Sequence, residues 1–244
     1  MTGTTMTKDE NMTQGGWVAV SLSASLKPST STGTLIDGKE YAVWRDNANA
    51  AHVWEDRCPH RGMRMSFGFV RGDHIACLYH GWQYDGAGQC RYVPAHPQLE
   101  VPQTIKVPTF HALESGGLIW ASVEEQQPDA PSIPASEVTP VRSLYIDQPL
   151  GPTMAALSTV TIPGFTETTS VTALATVTHE AVIATIGADR LLIAGQSLNA
   201  DRCALHIVIL GPESVYAGAG QTHFARWGEG FRNGLEAAAN GEAA

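Results

Sequence analysis

The chain has 244 residues, of which 43% are hydrophobic and 16% charged, and it carries a formal net charge of −9. That composition belongs to a globular protein with room for one large or two modest domains, and the acidity argues against a nucleic-acid surface. No apolar run is long enough to span a bilayer, and the N-terminus lacks the basic start and apolar core of a secretion signal. Small molecules and proteins are therefore the expected partners, with no nucleic acid and no membrane, and the cytoplasm is the expected location.

Taken in chain order, residues 1–15 are polar and Thr-rich and read as a disordered leader. From Trp17 onward, WVAVSL, GTLIDGKEYAVWRD and AHVWEDRC alternate β-branched or aromatic residues with turn pairs, the texture of a β-meander. It continues through DHIACLYHGWQYDGAGQCRYVP to a last strand at Ile119–Val123, with DGKE, RGDH and DGAG as turns. Residues 16–123 thus form one β domain. Glu124 to Pro140 holds four prolines and almost no large apolar side chain, so 124–140 reads as an extended linker. Beyond it SVTALATVT, AVIATI, LLIAGQS and CALHIVILG are separated by short polar turns, as in antiparallel hairpins. Phe224, Trp227, Phe231, Leu235 and Ala238 then recur at spacings of three and four, the mark of an amphipathic helix packed on that sheet. Residues 141–244 are therefore a small α+β domain, and the chain as a whole is mainly β.

The chemistry sits in the first domain. Cys58-Pro59-His60-Arg61-Gly62 is echoed by Cys77-Leu78-Tyr79-His80-Gly81-Trp82. Two thiolates and two imidazoles can hold zinc or an iron-sulfur cluster. Zinc fingers pair Cys with Cys and His with His at short spacing, whereas here each segment supplies one of each. That arrangement suits a two-metal group with both cysteines on one iron and both histidines on the other, the ligand set of a Rieske [2Fe-2S] centre. Cys90 has no matching ligand partner and reads as structural, and His52, His74, His96 and His111 receive no role.

With Gly88 to Pro94 following, these segments resemble the Rieske domain of the ring-hydroxylating and demethylating Rieske oxygenases, from about Trp17 to Val123. Met63 and Tyr79 stand where respiratory Rieske proteins have a disulfide. The resemblance implies a β-sandwich with cluster-binding loops. It makes Cys58, His60, Cys77 and His80 the ligands of a [2Fe-2S] cluster, with Tyr79 and Trp82 shielding it and a potential toward the low end of the Rieske range. It implies a flavin reductase or ferredoxin as electron donor and an oligomer, with a trimeric ring as its form.

In that family a longer helix-grip-like domain follows and holds a mononuclear Fe(II) through an Asp-x-x-His-x-x-x-x-His segment. This sequence has no such segment: Asp147 is followed by no His until His179. His179, His206 and His223 with Glu180, Asp201 or Glu229 could converge on a metal only from separate elements, so no mononuclear Fe(II) is expected in this chain. The reading is a reduced subunit that passes electrons to a catalytic oxygenase partner and is not catalytic alone. Its alternatives are a self-contained oxygenase with an atypical iron site and a non-enzymatic redox sensor or ligand binder.

Overall fold

The computed structural model describes residues 16–134, 137–168 and 172–241, so the Thr-rich stretch 1–15 lies outside the described residues. The first part of the chain supplies β1 (Val18–Leu22), β2 (Thr30–Ile36), β3 (Lys39–Arg45) and β4 (Ala51–Glu55). Four short strands follow, β5 (Phe69–Arg71), β6 (His74–Ala76), β7 (Gln83–Asp85) and β8 (Cys90–Tyr92), then β9 (Thr109–Ser115) and β10 (Leu118–Ser122). The second part has β11 (Thr139–Ile146), α1 (Leu150–Leu157), β12 (Thr172–Thr178), β13 (Ala181–Ile186), β14 (Asp189–Asn199) and β15 (Arg202–Ile209). It ends with α2 (Glu213–Tyr216) and α3 (Ala219–Ala239).

These strands make three antiparallel sheets, ordered β1-β10-β9-β4-β3-β2, β5-β6-β7-β8 and β11-β15-β14-β13-β12. Side chains alternate across a strand with a period of two, so a strand covered on both faces serves two cores. In β3, Tyr41 and Val43 enter one core while Ala42 and Trp44 enter another. Val18, Val20, Ile119 and Ala121 meet Tyr41, Val43 and Val53, which folds the six-stranded sheet on itself as a sandwich. The outer face of β3 and β4, with Trp44 and Trp54, packs on the core that holds Cys58, Cys77 and Tyr84. The outer face of β1 and β10, with Ala19, Leu118 and Trp120, packs on Leu192, Ala194 and Val208 of the five-stranded sheet. A register shift between Ala19 and Ser21 inserts one residue, and it turns Leu22 to the same side as Ala19. The far face of the five-stranded sheet, with Leu205 and Ile207, is covered by α1, by Ile162 in the segment after it, by Tyr216 of α2 and by Phe224 of α3.

The C-terminal helix, Ala219–Ala239, contains all five residues whose periodicity marks it. Two features depart from the sequence reading. Strand β11 starts at Thr139, inside the stretch read as linker, because Pro140 lies beside a register irregularity where a missing N–H costs no ladder bond. Helix α1 has no counterpart in the sequence reading and contains Gly151 and Pro152, residues that disfavour a helix interior. Both sit in the first helical turn, where backbone N–H groups have no partner inside the helix and proline is tolerated.

Candidate metal centre

The two Cys/His segments fold into loops with the same backbone closure. Cys58 N–H donates to the Met63 carbonyl at 2.8 Å and Gly62 N–H to the Cys58 carbonyl at 2.8 Å; in the second loop Cys77 N–H donates to Trp82 and Gly81 N–H to Cys77, both at 2.9 Å. Each loop therefore closes over the same five-residue span. Gly62 and Gly81 take φ of +70° and +69°, the left-handed conformation that a side chain disfavours. The following backbone matches as well: the N–H groups of His60 and Arg61 bond the Cys58 sulfur, and those of Tyr79 and His80 bond the Cys77 sulfur. The loops differ in the offset of the histidine, two residues after Cys58 and three after Cys77.

This fold brings all four candidate ligands together as two pairs. Cys58 and Cys77 are both buried and close enough for each thiol to set the proton affinity of the other. The His60 and His80 rings lie edge to face with centroids 4.6 Å apart. Among the described residues no group of three or more His, Cys, Asp or Glu is placed to hold one metal ion. A thiol pair and an imidazole pair on the same two loops fit a two-metal group that takes one pair on each metal. The thiol pair gives up its first proton readily, because the partner thiol, the Tyr84 hydroxyl and two backbone N–H groups all favour a thiolate at Cys58. The second proton is held, because Cys58 and burial both oppose a charge on Cys77.

The surroundings fix these groups unequally. Trp82 stacks on His60 at 4.2 Å with an interplanar angle of 6°, covering its ring. Tyr79 lies 3.9 Å from the His80 ring yet stays 60% exposed, so it flanks that imidazole without closing it off. Cys90 is buried, with its thiol 3.8 Å from the Tyr92 carbonyl. Sequence reasoning passed over Tyr84, whose hydroxyl lies 3.2 Å from the Cys58 sulfur. Its signal was available: β7 leaves the second loop directly after Trp82, so alternation returns Tyr84 to the loop's buried side.

The histidines of the second part stand apart from one another. His179 is in the turn before β13, and His223 on α3 donates through Nε2 to the Pro163 carbonyl at 2.9 Å. His206 is 1% exposed, although polar residues scattered on a sheet usually face solvent. Ser143 hydroxyl donates to its Nδ1 at 2.7 Å, and its Nε2–H donates to Gln196 Oε1 at 2.9 Å. Gln196 in turn donates to Thr34 Oγ1 and the Leu35 carbonyl of β2, at 2.7 and 2.8 Å. A neutral imidazole satisfies this chain, and burial, outweighing the Ala19 backbone that favours the charged form, pushes the His206 pKa down to about 4. Glu180 is half-buried, its carboxyl pushed up to about 7 by burial and then by the charge of Asp37.

The family described as "Rieske [2Fe-2S] domain" matches residues 16–111. Oxidoreductase NdmD of Pseudomonas putida is 44% identical over 87 residues, which are 35% of this chain and 15% of that protein. The 4beta-methylsterol monooxygenase of Methylococcus capsulatus is 38% identical over 108 residues, 43% of this chain and 29% of that protein. The chain thus matches these relatives over less than a third of their length. A crystal structure of apo dicamba monooxygenase superposes with a TM-score of 0.78 at 18% identity, covering 93% of this chain and 87% of that one, so the shared fold includes the C-terminal sheet. Among the described residues no helix is long and apolar enough to cross a membrane.

Proposed function

From the premise that this chain carries a Rieske [2Fe-2S] domain on the fold of the Rieske oxygenases, we propose that it is an electron-carrying subunit of an oxygenase system. In this reading Cys58 and Cys77 hold one iron and His60 and His80 the other. A cluster so bound takes up and releases one electron at a time. The observation that carries the reading is the pairing of thiol with thiol and imidazole with imidazole on two loops of like backbone. The protein's own groups then have defined tasks. Backbone N–H groups and Tyr84 hold negative charge at sulfur, Trp82 fixes the orientation of the His60 ring, and the exposed His80 edge faces outward.

The electron donor is a flavin reductase or a ferredoxin, and the acceptor is a mononuclear iron in a catalytic partner that hydroxylates or demethylates a small organic molecule. Residues 16–123 form the electron-carrying unit and 141–244 the unit for assembly, in a cytoplasmic oligomer. A second reading, a self-contained oxygenase, is favoured by one observation: the fold shared with dicamba monooxygenase extends through the C-terminal sheet. Metal analysis separates the two. The proposal expects about two irons per chain, all lost together with the visible spectrum. A reproducible third iron, removed by a chelator without bleaching the cluster, would instead establish the second reading.

A further inference from the structure

We propose that the arginine flank of the first loop is the docking surface for an acidic electron-carrier protein, an inference that rests on the electron-carrying role given above. Five of the chain's 15 Lys and Arg residues fall between positions 57 and 93, against two carboxylates, Asp73 and Asp85, so this segment is basic in a chain of net charge −9. The charge is concentrated at the mouth of the first loop. Arg57 and Arg64 both pair with Glu40, leaving two cations on one carboxylate. The arginine side chains are 47% and 44% exposed and Glu40 only 24%, so within this trio the cations reach solvent more than the carboxylate does. Arg61, next to His60, is exposed and has no ion-pair partner among the described residues.

Apolar groups stand among these charges. The Arg64 guanidinium lies 5.9 Å from the ring centre of Phe67, which is 55% exposed, and Leu78 and Tyr79 project from the second loop. Glu40 and Arg57, with Lys39 and Glu55, also wall a cleft of about 660 Å³ whose apolar lining includes Tyr41 and Phe110, a place for an apolar anchor from the partner. Positive charge around an apolar centre beside the exposed His80 imidazole is complementary to an acidic protein that must bring its own redox group close. A nucleic acid or an anionic lipid surface would need a far more extended basic face than three arginines in an acidic chain.

The net charge and the local charge predict opposite partners, which makes the test sharp. The holoprotein is titrated calorimetrically, at about 0.1 M salt, with an oxidised plant-type [2Fe-2S] ferredoxin as the acidic probe and with cytochrome c as the basic one. At that salt the Debye length is about 10 Å, so charges near the contact decide. Ferredoxin should bind more tightly than cytochrome c, and its affinity should fall about tenfold on going to about 0.5 M salt. Arg61→Glu and Arg64→Glu should each weaken ferredoxin about tenfold and Glu40→Gln should strengthen it, while Arg226→Glu on α3 leaves it within about twofold. Tighter binding of cytochrome c, a salt-independent ferredoxin affinity, no ferredoxin binding, or co-sedimentation with anionic phosphatidylglycerol vesicles would each overturn the proposal. The salt dependence of the unmodified chain decides even where a variant fails to fold. Visible spectra of the same samples show whether the cluster is present, so loss of the electron-carrying reading is distinguished from loss of the docking surface.

Discussion

The loop tip and the C-terminal sheet both carry histidines, and the two regions use them in opposite ways. His60 and His80 sit at the surface with their rings against each other, against Trp82 and against Tyr79, beside two sulfurs that accept backbone N–H groups. His206 is enclosed, and both of its ring nitrogens are taken by Ser143 and Gln196 in a chain of hydrogen bonds that runs on to β2. The first region leaves donors available to a guest; the second has no donor left to offer. A histidine's type and spacing therefore do not make a ligand: what matters is whether the fold has already satisfied its nitrogens.

The largest expected break in this comparison is at the tip. Cys77→Ser should abolish cluster binding, read as loss of iron and of the visible and paramagnetic signals, and an unchanged spectrum would refute the ligand assignment. In the sheet the same kind of truncation should cost stability and leave the cluster spectrum intact. His206→Ala removes a buried ring and strands Ser143 and Gln196, a loss of about 3–4 kcal/mol in denaturant unfolding.

Two pH effects sharpen the contrast further. The His206 pKa is depressed when folded, so between about 6.5 and about 4 the unfolded chain binds the proton first. Its contribution is complete above pH 6.5 and is lost as the pH falls through 4, worth about 3 kcal/mol, and His206→Gln should flatten that slope. Glu180 acts in the other direction. Its folded pKa is raised to about 7, so the unfolded chain releases the proton first and stability falls as the pH rises from about 4.5 through 7. Glu180→Gln should therefore stabilise the protein by about 2 kcal/mol at pH 8 and by little at pH 4, measured as the shift in urea midpoint. Identical pH profiles for Glu180→Gln and the parent would show that the carboxyl is not held in this environment.

The smallest effect returns to the tip. Tyr84→Phe removes the hydroxyl from the Cys58 sulfur without altering a ligand. A hydrogen bond of about 1 kcal/mol to sulfur favours the more negative reduced state, so the variant's potential should drop by about 40 mV in a redox titration. That bond also works against the low potential expected from the missing disulfide.

Much of the tip was legible in the sequence because its signals are local. Cys-x-His and Cys-x-x-His lie within single loops, and Gly62 and Gly81 mark the backbone that closes them. The C-terminal helix was legible for the same reason, since Phe224, Trp227 and Phe231 repeat along one short segment. What stayed hidden depends on partners far away in the chain. Gln196 meets Thr34 across 162 positions, and nothing near His206 announces that Ser143 will cap it. Glu40 is likewise 17 and 24 residues from the two arginines it joins, so the overall acidity of the chain concealed a basic flank beside the first loop. The layered cores were half legible: alternation shows that strands such as β3 have two apolar faces, but not which sheet covers each.

The central claim is that two cysteines and two histidines hold one two-iron cluster. Iron and acid-labile sulfide, determined together on the protein purified without oxygen, test it most directly. About two of each per chain are expected, and one equivalent of zinc with no sulfide would refute the cluster.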